Sequence, residues 1–214
     1  MPHEFPRTAD EALDHLIIGS PKLETGIEFV ADTFGIKPAL GGVHPGKGTQ
    51  NAIVGLAGGR YLEVLSPVPG AEGAGPLFEA VRSVRQPALI GWALSENDID
   101  GLRPKAFGAG LEPGDIVEGS RMTPAGCELK WETMGFGKTY DAMIPFAINW
   151  LTLDDHPSIS APKGLRLVAF WFEHPKSIEV RDSLAAIGVN ARVVQIETPR
   201  LRASIVGPKG EIEI

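Results

Sequence analysis

Residues 13–36 read LDHLIIGSPKLETGIEFVADTFGI and residues 51–66 read NAIVGLAGGRYLEVLS, and these two stretches decide the fold. Leu13 to Gly19 is a short apolar run with the length of a buried strand. After it, Leu23, Ile27, Val30 and Phe34 recur at helical spacing and give one apolar stripe over residues 21–34. Ser20 is placed to cap that helix, Pro21 to occupy its first position and Gly35 to stop it. An extended segment to Leu40 and a glycine-rich loop from Gly41 to Thr49 follow. A strand at Asn51 to Leu56, a tight Gly58-Gly59 turn and a strand at Tyr61 to Ser66 complete the unit. The order is strand, helix, strand, strand, strand.

That order recurs. Leu165 to Phe172 reads as a strand, Pro175 opens a helix with Val180, Leu184 and Ile187 on one face, and Gly188 closes it. Ser20-Pro21-Lys22 aligns with His174-Pro175-Lys176, and Phe34-Gly35-Ile36 with Ile187-Gly188-Val189. Strands at Ala191 to Glu197, Leu201 to Val206 and Glu211 to Ile214 finish this shortened copy. Between the two lies a less regular copy, with a strand at Ala88 to Leu94 and a helix at Asp98 to Phe107 broken by Pro104. Strands at Asp115 to Met122, Glu128 to Met134 and Ile144 to Trp150 follow it. The expectation is an α+β fold of three βαβββ modules, at residues 13–66, 88–150 and 165–214, in one compact unit. The second module is degenerate and pairs with the first. Pro67 to Pro76 and Leu153 to Gly164 are the connectors.

Bulk properties narrow the partners. At 214 residues the chain can bury a sizeable core, and a formal charge of -7 with a pI near 5.3 argues against nucleic acid and anionic membranes. No apolar run approaches the roughly 18 residues of a membrane span. Cys127 is the only cysteine, so no intrachain disulfide forms and a reducing, cytoplasmic setting is expected. A small-molecule ligand is the expected partner, with room for a homodimer.

Two residues stand out for chemistry. His15 lies in an apolar strand, where an imidazole needs a partner; a core histidine bonded to a carbonyl is the plain alternative. Glu63 lies between Leu62 and Val64, and a carboxylate there needs a metal, a cation or a proton. Its plain alternative is a structural ion pair with Arg60 or Lys130. In the glycine loop, Gly41 to Lys47 has the spacing of a phosphate-binding P-loop, but Gly48 stands where that motif needs Ser or Thr, and a strand follows instead of a helix. A nucleotide-hydrolysing loop is excluded. The loop's N–H groups, with Lys47 and Thr49, suit a small ligand's anionic group, and His44 could add a metal ligand or an acid–base group; a connection that merely needs glycine geometry is the alternative. No Gly-x-Ser-x-Gly, Cys-x-x-Cys or His-Glu-x-x-His motif is present. Trp92, Trp131, Trp150 and Trp171 all fall on expected strands.

Leu13-Asp14-His15-Leu16, the Gly41 to Asn51 loop and Tyr61-Leu62-Glu63 together resemble the glyoxalase-like branch of the vicinal oxygen chelate superfamily, and Pro145 to Trp150 extends the likeness into the second copy. The resemblance implies a pocket inside a curved sheet, with a divalent metal held by side chains from the first and last strands of the modules. His15 and Glu63 match two such positions. On that basis the metal set is His15, Glu63 and His44, the catalytic groups are Glu63 and His44, and Lys47, Thr49 and Asn51 meet the substrate. The implied activity is that of a metal-dependent lyase, isomerase or dioxygenase on a substrate with vicinal oxygens; the alternative is a non-catalytic ligand-binding or sequestering protein of the same fold. The second copy departs from the pattern. Ile90 aligns with His15, and the last strand offers Ile148 or Asn149 in place of an acid. In the C-terminal copy Ala169 lies opposite His15, and only Glu213 echoes Glu63.

Overall fold

The computed structural model describes residues 6–123, 126–137 and 141–214. A short entry of β1 (Arg7–Thr8) and α1 (Ala9–Ala12) leads into β2 (Leu13–Gly19), α2 (Leu23–Phe34), β3 (Ala39–His44), β4 (Thr49–Gly55) and β5 (Tyr61–Pro67). After α3 (Pro76–Ser83), the order returns as β6 (Ala88–Ser95), α4 (Ile99–Gly108), β7 (Val117–Met122), β8 (Glu128–Met134) and β9 (Phe146–Trp150). Beyond α5 (Pro157–Ser160) come β10 (Arg166–Glu173), α6 (Ser177–Ala186), β11 (Val189–Asn190), β12 (Val193–Val194), β13 (Arg200–Gly207) and β14 (Gly210–Glu213).

Eight strands form one curved mixed sheet in the order β3-β4-β5-β2-β6-β9-β8-β7. The two halves are arranged alike: β2 runs parallel to β5, β6 runs parallel to β9, and β2 joins β6 antiparallel at the centre. The end strands β3 and β7 approach each other, so the sheet curls into a nearly closed barrel. One face meets the helices and a separate four-stranded sheet, β12-β10-β13-β14. Trp92 is central to that contact, its ring edge-on to Phe170 and Phe172 at 5.4 and 5.6 Å. Burial of Leu23, Ile27, Val30 and Phe34 fixes α2 on the same face, each side chain contributing about 1.5–3 kcal/mol. The opposite, concave face carries Ile53, Tyr61, Ala93, Leu129, Ile148 and Trp150.

Several local expectations change. α2 starts at Leu23, because Lys22 is extended and the Ser20 hydroxyl donates to Lys22 O; Ser20 and Pro21 belong to the preceding turn. Likewise α6 starts at Ser177, two residues after Pro175. α4 passes through Pro104 unbroken, since Pro104 faces solvent, where the carbonyl it leaves without an N–H can be hydrated. The expected loop Gly41 to Thr49 is mostly strand: β3 runs to His44 and pairs with β4 down to Thr49, leaving only residues 45–48 as the turn. The Ala191 to Glu197 strand shrinks to β12, which finds a partner only at the end of β10. Among the described residues, no helix is long and apolar enough to cross a membrane.

Candidate functional site

The concave face is organised by a bulge. Leu13 pairs with Leu94 and His15 with Ala93, so β2 spends two residues where β6 spends one, and Asp14 is the extra residue. Strict alternation would send Asp14 to the helix side. The bulge turns it inward beside His15, and Asp14 Oδ1 lies 2.6 Å from His15 Nδ1. Asp14 Oδ2 accepts from Trp150 Nε1 at 3.1 Å and lies 3.2 Å from His156 Nε2. Burial alone would push the Asp14 carboxyl up, but the hydrogen bonds from His15 and His156 more than offset it and bring its pKa down to about 2.

That charge sets the protonation pattern around it. An ionised Asp14 only accepts, so His15 Nδ1 and His156 Nε2 both carry protons. Ser158 N–H donates to His156 Nδ1, which is consistent with a neutral His156. In the neutral ring His15 Nε2 is then a bare lone pair, and it faces Glu63 Oε2 at 3.8 Å. Glu63 Oε1 accepts from Asn51 Nδ2 at 2.6 Å. Two acceptors therefore face each other in a buried place, an arrangement that calls for a cation or a proton between them. The His15 ring is stacked on Tyr61 at 4.5 Å and edge-on to Phe146 at 5.8 Å. Burial, then the charges of Asp14 and Glu63, hold the Tyr61 phenol well above its ordinary pKa, so it stays protonated.

His44, at the end of β3, lies 2.9 Å from Thr49 Oγ1 through Nδ1 and meets Trp131 edge-on at 6.0 Å. Desolvation lowers its pKa against the opposing pull of Glu63, which favours the neutral ring. Asn51 and Thr49 are buried and engaged with Glu63 and His44, whereas Lys47 is exposed at the hairpin tip. Arg60 and Lys130, the expected ion-pair partners of Glu63, go elsewhere: Arg60 donates to Asp10 O and Lys130 pairs with Glu128. The cation nearest in kind is Arg121 of β7, which feels the charge of Glu63 and donates through Nη1 to Gly41 O.

Asp14, Arg121, Trp150 and His156 are not among the site residues expected from the sequence, although Asp14 falls in the family-like stretch and Trp150 on an expected strand. Asp14 carried a signal, being an acid beside a histidine in an otherwise apolar strand. Arg121 and His156 carried none, since each reaches the site only through tertiary contact. Of the second-half positions, Ile148 lies in the apolar interior and Asn149 bonds weakly to Glu132 at 3.5 Å. Ile90 packs near Ile17 and Leu65. Glu213 pairs with Arg202 in the C-terminal sheet, away from this face.

The fold agrees with what the sequence matches. A family described as a glyoxalase-like domain is matched over residues 13–203. The chain belongs to the glyoxalase-like domain family. Among solved structures, a hypothetical protein from Staphylococcus aureus is 18% identical, with a TM-score of 0.65 over 94% of this chain and 83% of that one, and shows the same fold. A methylmalonyl-CoA epimerase from Mycobacterium tuberculosis is 17% identical over 69% of this chain and 92% of its own, with a TM-score of 0.43. A Streptomyces coelicolor methylmalonyl-CoA epimerase variant, solved with 2-nitronate-propionyl-CoA, is 16% identical over 64% of this chain and 95% of its own, with a TM-score of 0.44. No curated protein matches the sequence.

Two cavities flank the sheet. One of about 400 Å³ is lined by Asp14, Trp150, His156, Arg60 and Ile148 and opens beside the Asp14 cluster. A larger one, about 850 Å³, lies on the other face between α2, β6 and the C-terminal sheet, and His15, Glu63 and His44 are among the lining residues of neither. Among the described residues, no three His, Cys, Asp or Glu side chains converge as a metal cluster. The donors that do converge are the pair His15 and Glu63. They fit a divalent ion as a half-site, an imidazole with its tautomer fixed for ligation through Nε2 and a carboxylate opposite it.

Proposed function

We propose that this glyoxalase-like interior is the active site of a cytoplasmic enzyme, a lyase, isomerase or dioxygenase, that acts on a small molecule bearing two neighbouring oxygens. The observation that carries the reading is the 3.8 Å approach of His15 Nε2 to Glu63 Oε2 with His15 Nδ1 fixed on Asp14. His15 and Glu63 would hold a divalent metal, with His44 the candidate third ligand. When bound, such an ion supplies charge stabilisation to an enolate or alkoxide.

The chain's own groups do the rest. Asp14 orients the His15 ring, and Asn51 orients Glu63. Where His44 is not taken up as that third ligand, its ring, kept neutral by burial and held at Nδ1 by Thr49, is free through Nε2 to take a proton from the substrate and return it. Lys47 stands at the hairpin tip, where it meets an incoming anionic group. The aromatic wall of Trp131, Trp150 and Phe146 excludes water. A second reading, a binder that sequesters its ligand without turnover, is favoured by the lack of a converging third ligand among the described residues.

Metal analysis of protein purified without chelator, before and after exposure to zinc, manganese, nickel and iron, tests the metal. About one equivalent is expected in the unaltered protein and none in His15→Ala or Glu63→Gln; unchanged uptake in both variants would refute the assignment. Proton exchange in deuterated water, followed by NMR over a panel of 2-oxo and 2-hydroxy compounds, separates enzyme from binder. Compounds that bind without exchange would favour the binder.

A further inference from the structure

The second half of the sheet sends one charged group toward the site, and its surroundings are unusual. Arg121 is 4% exposed, on the edge strand β7 where it faces β3. Among the described residues its one side-chain hydrogen bond runs through Nη1 to the carbonyl of Gly41. Among the described residues no carboxylate lies within ion-pair distance of it, and Glu63 directs its two oxygens to Asn51 and His15. A guanidinium has five N–H donors in a planar fork and keeps its charge when buried. Removing that charge from water with one neutral acceptor leaves most of the fork unanswered. Among the described residues Nε and Nη2 have no hydrogen-bond partner, and neither atom is fully sealed from solvent.

The glycine pair of β3 explains how Arg121 arrives there. A methyl group on Gly41 would overlap the Asn51 amide, and one on Gly42, whose φ is +147°, would press on Met122 O. Without side chains at both positions, β3 closes against β7, and Arg121 reaches the carbonyl of Gly41. Gly41 in turn packs on Asn51, the residue bonded to Glu63. Arg121 thus sits one glycine away from the Glu63–Asn51 pair.

We propose that Arg121 anchors a carboxylate of the substrate, so that the ligand class is a small organic acid whose carboxylate is gripped by the second half of the sheet while its reacting carbon meets the first. The assignment rests on the active-site reading above. A carboxylate matches the planar fork with two parallel hydrogen bonds, and the apolar wall of Leu129, Ile148 and Trp150 favours a small, singly charged group over a phosphate dianion. Arg121 is then a binding residue, and the glycine pair is its access route.

The test uses the full chain and propionate, propionamide and methylphosphonate as probes, titrated by calorimetry and by NMR of the arginine Nε–H signals. Propionate should bind saturably and shift the Arg121 signal, whereas propionamide should bind at least tenfold more weakly and methylphosphonate less well than propionate. Arg121→Gln should lose propionate at least tenfold, and Arg121→Lys should retain part of it. Glu63→Gln should keep propionate binding even where metal uptake and proton exchange are lost, which separates failure of the anchor from failure of the active-site reading. Equal binding of propionate by Arg121→Gln and the unaltered protein, equal binding of propionate and propionamide, stronger binding of methylphosphonate, or an unmoved Arg121 signal at saturation would each overturn the proposal. The NMR arm stands if the Gln variant fails to fold.

Discussion

The two halves of the eight-stranded sheet share an order of strands and differ in what they turn inward. The β2 to β5 half presents His15, Asn51, Tyr61 and Glu63, with His44 at its edge, whereas the β6 to β9 half presents Ala93, Leu129, Phe146, Ile148 and Trp150, with Arg121 at its edge. The backbone repeats because each half solves the same problem, burying one face of a twisted sheet under a helix. Chemistry is under no such obligation to repeat. One half carries the polar groups, and the other supplies the wall, one N–H for Asp14 and one guanidinium. The largest expected effect follows from this asymmetry. Glu63→Gln and His15→Ala should each lower any proton-exchange rate by about 100-fold or more, while the second-half change Ile148→Val should leave it within a few fold. Equal losses in both halves would break the comparison.

Asp14 ties the halves together, accepting from His15 in one and Trp150 in the other. Asp14→Asn leaves buried donors facing an amide N–H₂, and should cost about 3–5 kcal/mol in urea unfolding. The same carboxylate predicts an acid limb. Its folded pKa of about 2 lies below the ordinary 3.8, so its stabilisation is complete above about pH 4 and is lost as pH falls toward 2. The difference corresponds to about 2 kcal/mol. Stability measured between pH 5 and 2 should fall more steeply in the unaltered protein than in Asp14→Asn; parallel curves would show that Asp14 is not the group responsible.

What the sequence made legible was local. The α2 stripe, the β4–β5 hairpin around Gly58-Gly59, and the apolar strands holding His15 and Glu63 depend on residues within a turn or two of one another, and period and turn chemistry find them. Strand pairing is non-local, and that is where the reading stopped. The bulge at Asp14 exists only because Leu94 and Ala93 fix the register across the strand. Arg121 meets Gly41 from 80 positions away, and His156 meets Asp14 from 142. The Gly41-Gly42 pair looked like loop because glycine weakens any strand pattern. In the fold those glycines stand where two edges close, and their missing side chains are what allows the approach.

Trp150 gives a finer measure of the link between halves. Trp150→Phe keeps most of the aromatic wall and removes one N–H from Asp14. A loss of about 1–1.5 kcal/mol is expected, with the acid limb moving to higher pH, since Asp14 would hold its proton more readily with one donor fewer. A destabilisation without any displacement of the acid limb would mean that the indole acts through packing alone.

The smallest effect belongs to the residue that resembles Glu63 in the repeat but not in the fold. Glu213 ends β14 and pairs with Arg202 at 3.0 Å, with side chains 57% and 27% exposed. Water screens such a pair, so Glu213→Gln should change stability by less than about 1 kcal/mol and should weaken further in significance as salt is raised. It should leave metal uptake and carboxylate binding where they were. A measurable change in either would place the C-terminal sheet in the site. The expected silence has a physical reason: Glu63 lies in a strand whose inward face is shut off by the barrel, so its charge must be answered from within, whereas Glu213 lies on an edge strand, where solvent answers most of it. The same residue type at corresponding places in a repeat therefore carries chemistry only where the sheet closes over it.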